Sequence, residues 1–252
     1  MSESFYSLEG IKVTKERKLT LSKRLLTVAS FIDKNSYFID IGSDHAYLPS
    51  YVCDRDSSVR AIASEVNKGP FESAERTVKQ AELTDVIDVR LGDGLDVVTK
   101  NDEIDTIVIA GMGGSLIRSI LDNGKSNIHT VETIIAQPNI DARSVRKWLV
   151  DHHYGIVAER LVEENKFIYE VIVAKRTKHV LPLTEEELLL GPLLLKEKSP
   201  LFYTKWQSEL ENKEKILSDI NKATTSNEQK KEQFEKEIHW IKEAIHHDSR
   251  NE

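Results

Sequence analysis

Between Tyr37 and Asn139 the chain repeatedly writes a short, almost wholly apolar run and then stops it with glycine, a carboxylate or an amide. "YFIDIG" ends at Gly42, "VRAIASE" at Glu65, "IDTIVIAGMGG" at Gly114 and "ETIIAQPN" at Asn139. Short runs rich in Ile and Val read as strands, and the missing polar alternation means that both faces are covered. "DVIDVRLGDGL" adds one more strand and a turn. Helical patterns lie between the strands. "LTLSKRLLTVASFI" puts Leu21, Leu25, Val28, Ala29 and Ile32 on one face, and "KGPFESAERTVKQAEL" reads as a helix starting near Pro70, since proline suits a first turn. "SLIRSIL" and "DARSVRKWLVDHHYG" are further helices, the latter expected to stop at Gly155. "IVAERLVEENKFIYEVIVAKR" alternates like a hairpin turning near Glu164 and Asn165. Five strand–helix units followed by a hairpin predict an α/β doubly wound fold with helices on both faces of a parallel sheet and an antiparallel edge.

After Pro182 the character changes. Two polar helices carry regularly spaced apolar residues: Phe202, Trp206, Leu210, Leu217 and Ile220 on the first, and Phe234, Ile238, Ile241 and Ile245 on the second. This predicts an antiparallel helical hairpin with coiled-coil-like packing over residues 181–252, following an α/β domain over residues 1–180.

Composition narrows the function. No apolar run reaches the roughly 20 residues that cross a bilayer, and the polar N-terminus lacks the apolar stretch of a signal peptide. The single cysteine, Cys53, rules out an intramolecular disulfide, so a cytoplasmic protein is expected. A net charge of −7 argues against a broad nucleic-acid-binding coat. Two local basic groups stand out against it. One runs through Lys12, Lys15, Arg17, Lys18, Lys23 and Arg24, and the other comprises Arg143, Arg146 and Lys147. The paired histidines, His152 with His153 and His246 with His247, have no partner motif, so no metal site is expected.

In an open parallel sheet a ligand binds beyond the carboxyl ends of the strands, where strand order reverses. Glu65 lies 23 residues beyond Gly42, where an acid accepts both hydroxyls of an adenosine ribose. The loop after Gly42 separates the adenosine cofactors. A pyrophosphate needs glycines where this chain has Asp44 and Tyr47, and the Asp44 carboxylate would repel it. S-Adenosylmethionine carries a sulfonium and an ammonium instead, beside which Asp40 and Asp44 are electrostatically favourable. Oxidoreduction with a nicotinamide dinucleotide is correspondingly disfavoured. Asp93, between Gly92 and Gly94, suits the adenine amine. In "IAGMGG", Gly111, Gly113 and Gly114 imply close backbone approach, with Met112 either an apolar cofactor contact or core packing. Gln137 and Asn139 offer amides for a base edge, or a turn that caps the next helix.

Taken in order, "LSKRL", "DIGSDHAYLP", "NKGP", "GDGL", "IAGMGG" and "QPN" resemble the bacterial tRNA adenine-22 N1-methyltransferase family, TrmK, over roughly residues 19–176. The resemblance implies a class I methyltransferase domain with a Rossmann-like seven-stranded sheet and a C-terminal helical hairpin. It also implies S-adenosyl-L-methionine as cofactor, tRNA as partner, and 1-methyladenosine in the D-loop region as product. Gly42, Asp44, His45, Glu65, Gly92, Asp93, Gly94, Gly111 and Met112 match its cofactor-binding motifs. Asp44 and Asn139 are the candidate catalytic groups, each able to stabilise the positive charge that methylation leaves on the base. Lys23, Arg24, Arg143 and Arg146 are the expected RNA contacts, and the protein is expected to be monomeric. Two other classes stay open: a methyltransferase for another RNA position or a small molecule, and a non-catalytic protein that binds the cofactor or RNA.

Overall fold

The computed structural model describes residues 19–222 and 228–246; Lys12, Lys15, Arg17, Lys18 and His247 lie outside them. Seven strands form one sheet: β1 Tyr37–Ile41, β2 Arg60–Glu65, β3 Ile87–Leu91, β4 Thr106–Gly113, β5 Thr133–Ile140, β6 Tyr154–Glu164 and β7 Phe167–Arg176. Their order is β3-β2-β1-β4-β5-β7-β6. The first five are parallel, while β7 runs antiparallel to both β5 and β6. Strand order reverses between β1 and β4.

The parity of each strand explains the continuous apolar runs. Ile39, Ile62, Ile107, Ile109 and Ile134 face one core, while Phe38, Ala61, Val108 and Ile135 face the other. Helices α4 (Gly114–Asn123) and α5 (Ala142–Asp151) cover the first face through Ile117, Leu121, Val145 and Leu149. The second is covered by α1 (Lys23–Ala29), α2 (Tyr47–Arg55) and α3 (Lys68–Gln80) through Val28, Leu48, Ala74 and Val78. After β3 the connection makes only one 3-10 turn, Gly94–Val97.

Helix α3 starts at Lys68, with Pro70 in its first turn as expected, and one boundary differs from the sequence expectation. Helix α5 ends at Asp151 rather than at Gly155. Its exit uses His153 in the left-handed region (φ 64°), and Gly155 already belongs to β6, paired with Lys175. Sheet pairing claims that glycine before a helix stop can use it.

Helices α6 (Glu185–Leu190) and α7 (Leu194–Glu197) lead into α8 (Pro200–Lys222) and α9 (Glu228–His246). Phe202, Trp206, Leu210, Ile238 and Ile241 build a third core among them. Among the described residues, no helix is long and apolar enough to cross a membrane.

Arg146 joins these parts. It is fully buried on α5, donates from Nε to Glu159 of β6 at 2.7 Å and also pairs with Glu170 of β7. Its Nη1 donates to the carbonyls of Leu188 and Leu189 at 3.2 and 3.3 Å, and Glu159 in turn accepts from the Leu193 amide at 2.8 Å. Lys205 of α8 reaches Glu170 at 3.3 Å. Burial by itself would raise the Glu170 carboxyl, but Arg146 and Lys205 outweigh it and hold it below its ordinary value. Arg146 therefore cannot act as the RNA contact expected from sequence; it has no exposed surface from which to reach a phosphate. Replacing it with Met leaves two buried carboxylates without their shared cation. Arg146→Met is expected to lower stability by about 3–5 kcal/mol in urea unfolding, and a loss below about 1 kcal/mol would contradict the assignment.

Candidate active site

The loop from β1 into α2 is bound to β2. The Gly42 and Ser43 amides both donate to the Ser64 carbonyl, at 3.0 and 3.1 Å, and the Asp44 amide donates to a Glu65 carboxylate oxygen. Three left-handed residues bend the loop this sharply: Gly42 (φ 66°), Asp44 (φ 55°) and Ala46 (φ 54°). The last two hold a conformation unusual for residues with a side chain, so the strain is balanced by the surrounding bonds and by the buried Ala46. At Gly42 a Cβ would come within 2.3 Å of the Met112 methyl. Met112 thus packs across the switch point from the end of β4.

Acids dominate this side of the switch point. Asp40 is 4% exposed and accepts from the Ser43 hydroxyl at 2.5 Å. Burial pushes its carboxyl up to about 7, against the Ser43 bond and with a further push from Glu65. Glu65 is also buried, and its carboxyl is raised first by burial and then by the Asp44 carboxylate, against the amide bond. Asp44 itself is exposed, with His45 Nε2 at 3.7 Å from its carboxylate. The His45 ring stacks with Tyr47. Among the described residues no lysine, arginine or histidine pairs with Asp40. A buried carboxyl without a cation, flanked by two more acids, suits a cationic ligand and disfavours a phosphorylated one. At the neighbouring strand ends Val66, Leu91 and Asp93 are exposed, an apolar flank beside a carboxylate.

Amides dominate the other side. Gln137 is fully buried and accepts from the Gly111 amide at 3.0 Å and from Arg24. Asn139 is exposed, donates to the Gly111 carbonyl at 2.8 Å and accepts from Gln137 at 3.2 Å. The structure thus separates the two amides that sequence grouped as base readers: Gln137 ties β4 to β5, and Asn139 alone is presented outward. Gly114 belongs to the same junction. A Cβ there would sit 1.9 Å from the Asp141 carbonyl, so this glycine serves the packing of α4 on the β5–α5 turn rather than a ligand. Asp141 caps α5 through the Ser144 amide and accepts from Ser115 at 2.6 Å.

The expected RNA contacts are dispersed. Lys23 is exposed, with its amide on Glu164 at 2.8 Å. Arg24 lies inside the site, on Gln137 and over the Tyr169 ring at 5.5 Å. Arg143 is partly exposed but paired with Glu185 and with Glu237, the latter at 2.9 Å. It lines a groove of about 360 Å³ that runs from Asn139 to Lys205 and Lys213 of α8. Sequence reasoning missed Tyr169; the alternation of β7 puts it on a face, but nothing local says that α1 lies above it.

The Asp40 carboxyl binds its proton more tightly in the folded chain than in the unfolded one. Its ionisation therefore costs stability progressively as pH rises from about 4 to about 7. Asp40→Asn keeps an acceptor for Ser43 and removes that cost. The variant is expected to gain stability relative to the parent across this interval and to hold a constant difference above it. A pH-independent difference in chemical denaturation would contradict the shift.

The family described as tRNA (adenine(22)-N(1))-methyltransferase, TrmK, matches residues 38–243. The tRNA (adenine(22)-N(1))-methyltransferase of Bacillus subtilis is 42% identical over 236 residues, covering 91% of this chain and 99% of that protein. The crystal structure of the B. subtilis m1A22 tRNA methyltransferase TrmK superposes with a TM-score of 0.83 at 40% identity, covering 90% of this chain and 100% of that one. M. capricolum TrmK, solved with the cofactor product S-adenosyl-homocysteine, superposes with a TM-score of 0.79 at 30% identity, over 90% of this chain and 98% of that one. With the methyltransferase strand order, the acid-lined loop after β1 and this match over most of its length, the chain belongs to the TrmK family of tRNA (adenine(22)-N(1))-methyltransferases.

Proposed function

We propose that this protein methylates N1 of adenosine 22 in tRNA, using S-adenosyl-L-methionine, in the cytoplasm where tRNA resides. The observation that carries the proposal is the division of the carboxyl edge. Buried acids without a lysine or arginine partner among the described residues lie on one side of the switch point and the exposed Asn139 on the other, in a chain of this family. When bound, the cofactor supplies a methyl group on a positively charged sulfur.

Asp40 and Asp44 offset that charge and the ammonium beside it, while Glu65 accepts from the ribose hydroxyls and Asp93 from the adenine amine. Gly42, His45, Gly92, Gly94, Gly111 and Met112 shape the walls. Neutral adenine already carries a lone pair on N1, so the protein needs no strong base there. It has to hold N1 in line with the methyl at about 3 to 3.5 Å and keep the base splayed out of any pairing, at a cost of a few kcal/mol. Asn139 performs the orienting step. Its amide is fixed by Gly111 and Gln137, and the second lone pair of its oxygen is left to offset the charge that develops on the base. Asp44, exposed at the mouth of the loop, adds long-range stabilisation of the same charge. Lys23 supplies a phosphate contact outside the pocket.

Incubation of the purified protein with unmodified tRNA and labelled cofactor, followed by nuclease digestion and mass spectrometry, is expected to give 1-methyladenosine at position 22. Methylation elsewhere, or none, would replace this function. Asn139→Ala is expected to lower kcat about 10²-fold with little change in cofactor affinity; an unchanged kcat removes Asn139 from the chemistry.

A further inference from the structure

The β6–β7 hairpin projects beyond the sheet on the substrate side. Strand β7 pairs with β5 only as far as Ile172, but continues to pair with β6 out to Phe167. Its two-residue turn, Asn165 and Lys166, has φ of 50° and 68°, the stiff primed geometry that suits a twisted hairpin. The tip is also fastened to α1, because Glu164 accepts from the Lys23 amide at 2.8 Å and lies 4.0 Å from Arg24 Nε.

On this tip Phe167 is 64% exposed, so an aromatic face at the end of the hairpin is open to solvent. Phe167 begins a column of neighbouring planar groups. Its ring lies 6.3 Å from Tyr169 and is tilted 49° to it, the Arg24 guanidinium lies 5.5 Å over Tyr169, and Arg24 bonds Gln137. Gln137 accepts from Gly111, beside outward-facing Asn139. The column therefore runs from solvent to the strand ends where the methyl is transferred. Exposed aromatic rings and arginine planes are the surfaces on which unstacked bases of single-stranded nucleic acid settle, without regard to base identity. Lys166 adds an exposed positive charge at the outer end for the strand's backbone.

We propose that Phe167 is a positioning residue that stacks an unpaired nucleobase next to the target adenosine, holding the strand open while Arg24 and Tyr169 extend the platform inward. This inference rests on a tRNA substrate. Stacking explains the arrangement better than phosphate binding, since both charges of the column's cation, Arg24, and its acid, Glu164, already face each other. Phe167 stands at the hairpin tip, beyond the last residue of β7 that pairs with β5, so its removal is a way to separate RNA positioning from cofactor binding.

The test compares Phe167→Ala and Phe167→Trp with the parent protein. Expected for Phe167→Ala is a rise of about tenfold or more in KM for tRNA, with unchanged cofactor affinity, unchanged Tm and an unchanged slope of tRNA affinity against salt. Phe167→Trp, which restores a stacking face, is expected to stay close to the parent. A KM within twofold of the parent for Phe167→Ala, or a Trp variant as weak as the Ala variant, overturns the proposal. A lower Tm or weaker cofactor binding would assign the ring to structure, and a changed oligomeric state would assign it to a contact between copies; either result also overturns it. If the parent methylates tRNA while these results fail, only the stacking role falls. If the parent does not modify tRNA, the tRNA function falls first and takes this role with it.

Discussion

The geometry around the active site depends on one buried cation. Arg146 of α5 binds Glu159 of β6 and Glu170 of β7, caps the final carbonyls of α6, and through Glu159 fixes the chain entering α7. Each partner comes from a different part of the sequence, so the cluster acts as a bolt through the sheet edge and the C-terminal helices. A charge cluster with no solvent access tolerates few alternative arrangements, because any displaced member is left desolvated and unpaired. It thus sets where the β6–β7 hairpin and α8 stand relative to the end of β5 that carries Asn139.

The carboxyl edge of the sheet is divided by charge at the point where strand order reverses. On the β1–β2 side, burial raises the Asp40 and Glu65 carboxyls. On the β4–β5 side, Gln137 and Asn139 form an amide net around Gly111, with the Arg24 guanidinium on Gln137. A methyl donor with a positive sulfur belongs on the first side and a neutral, polar base on the second. Met112, packed over Gly42 from across the gap, stands where the two meet. Transfer of a methyl group to a base that already carries a lone pair needs alignment more than proton movement.

Much of this arrangement is legible locally. The all-apolar strands imply a sheet buried on both faces, and Asp44 in place of a second glycine implies a ligand without pyrophosphate. Those inferences work because side-chain period and backbone electrostatics are short-range properties. Misreadings arose where partners lie far apart in sequence. Arg146 looks like a member of a surface basic group beside Arg143 and Lys147, yet alternating helix faces send Lys147 to solvent and Arg146 to the interior. Gly155 looks like a helix stop, yet its pairing with Lys175 makes it a strand residue. Gln137 and Asn139, two residues apart, share a strand face but differ in depth, so one became structural and the other available.

The sequence by itself determined the class of fold, the strand ends that frame the site and the non-phosphate character of the ligand, because periodicity and the chemistry of one loop suffice for each. Only the tertiary structure decided which charges are free. Whether an arginine meets solvent or two carboxylates depends on residues 13 and 24 positions away and on helices that arrive later in the chain. The stacking of Arg24 on Tyr169, and the exposed ring of Phe167 above it, likewise exist only once α1 has docked on a hairpin more than a hundred residues downstream. Desolvation and pairing are properties of the packed molecule, and no local pattern encodes them.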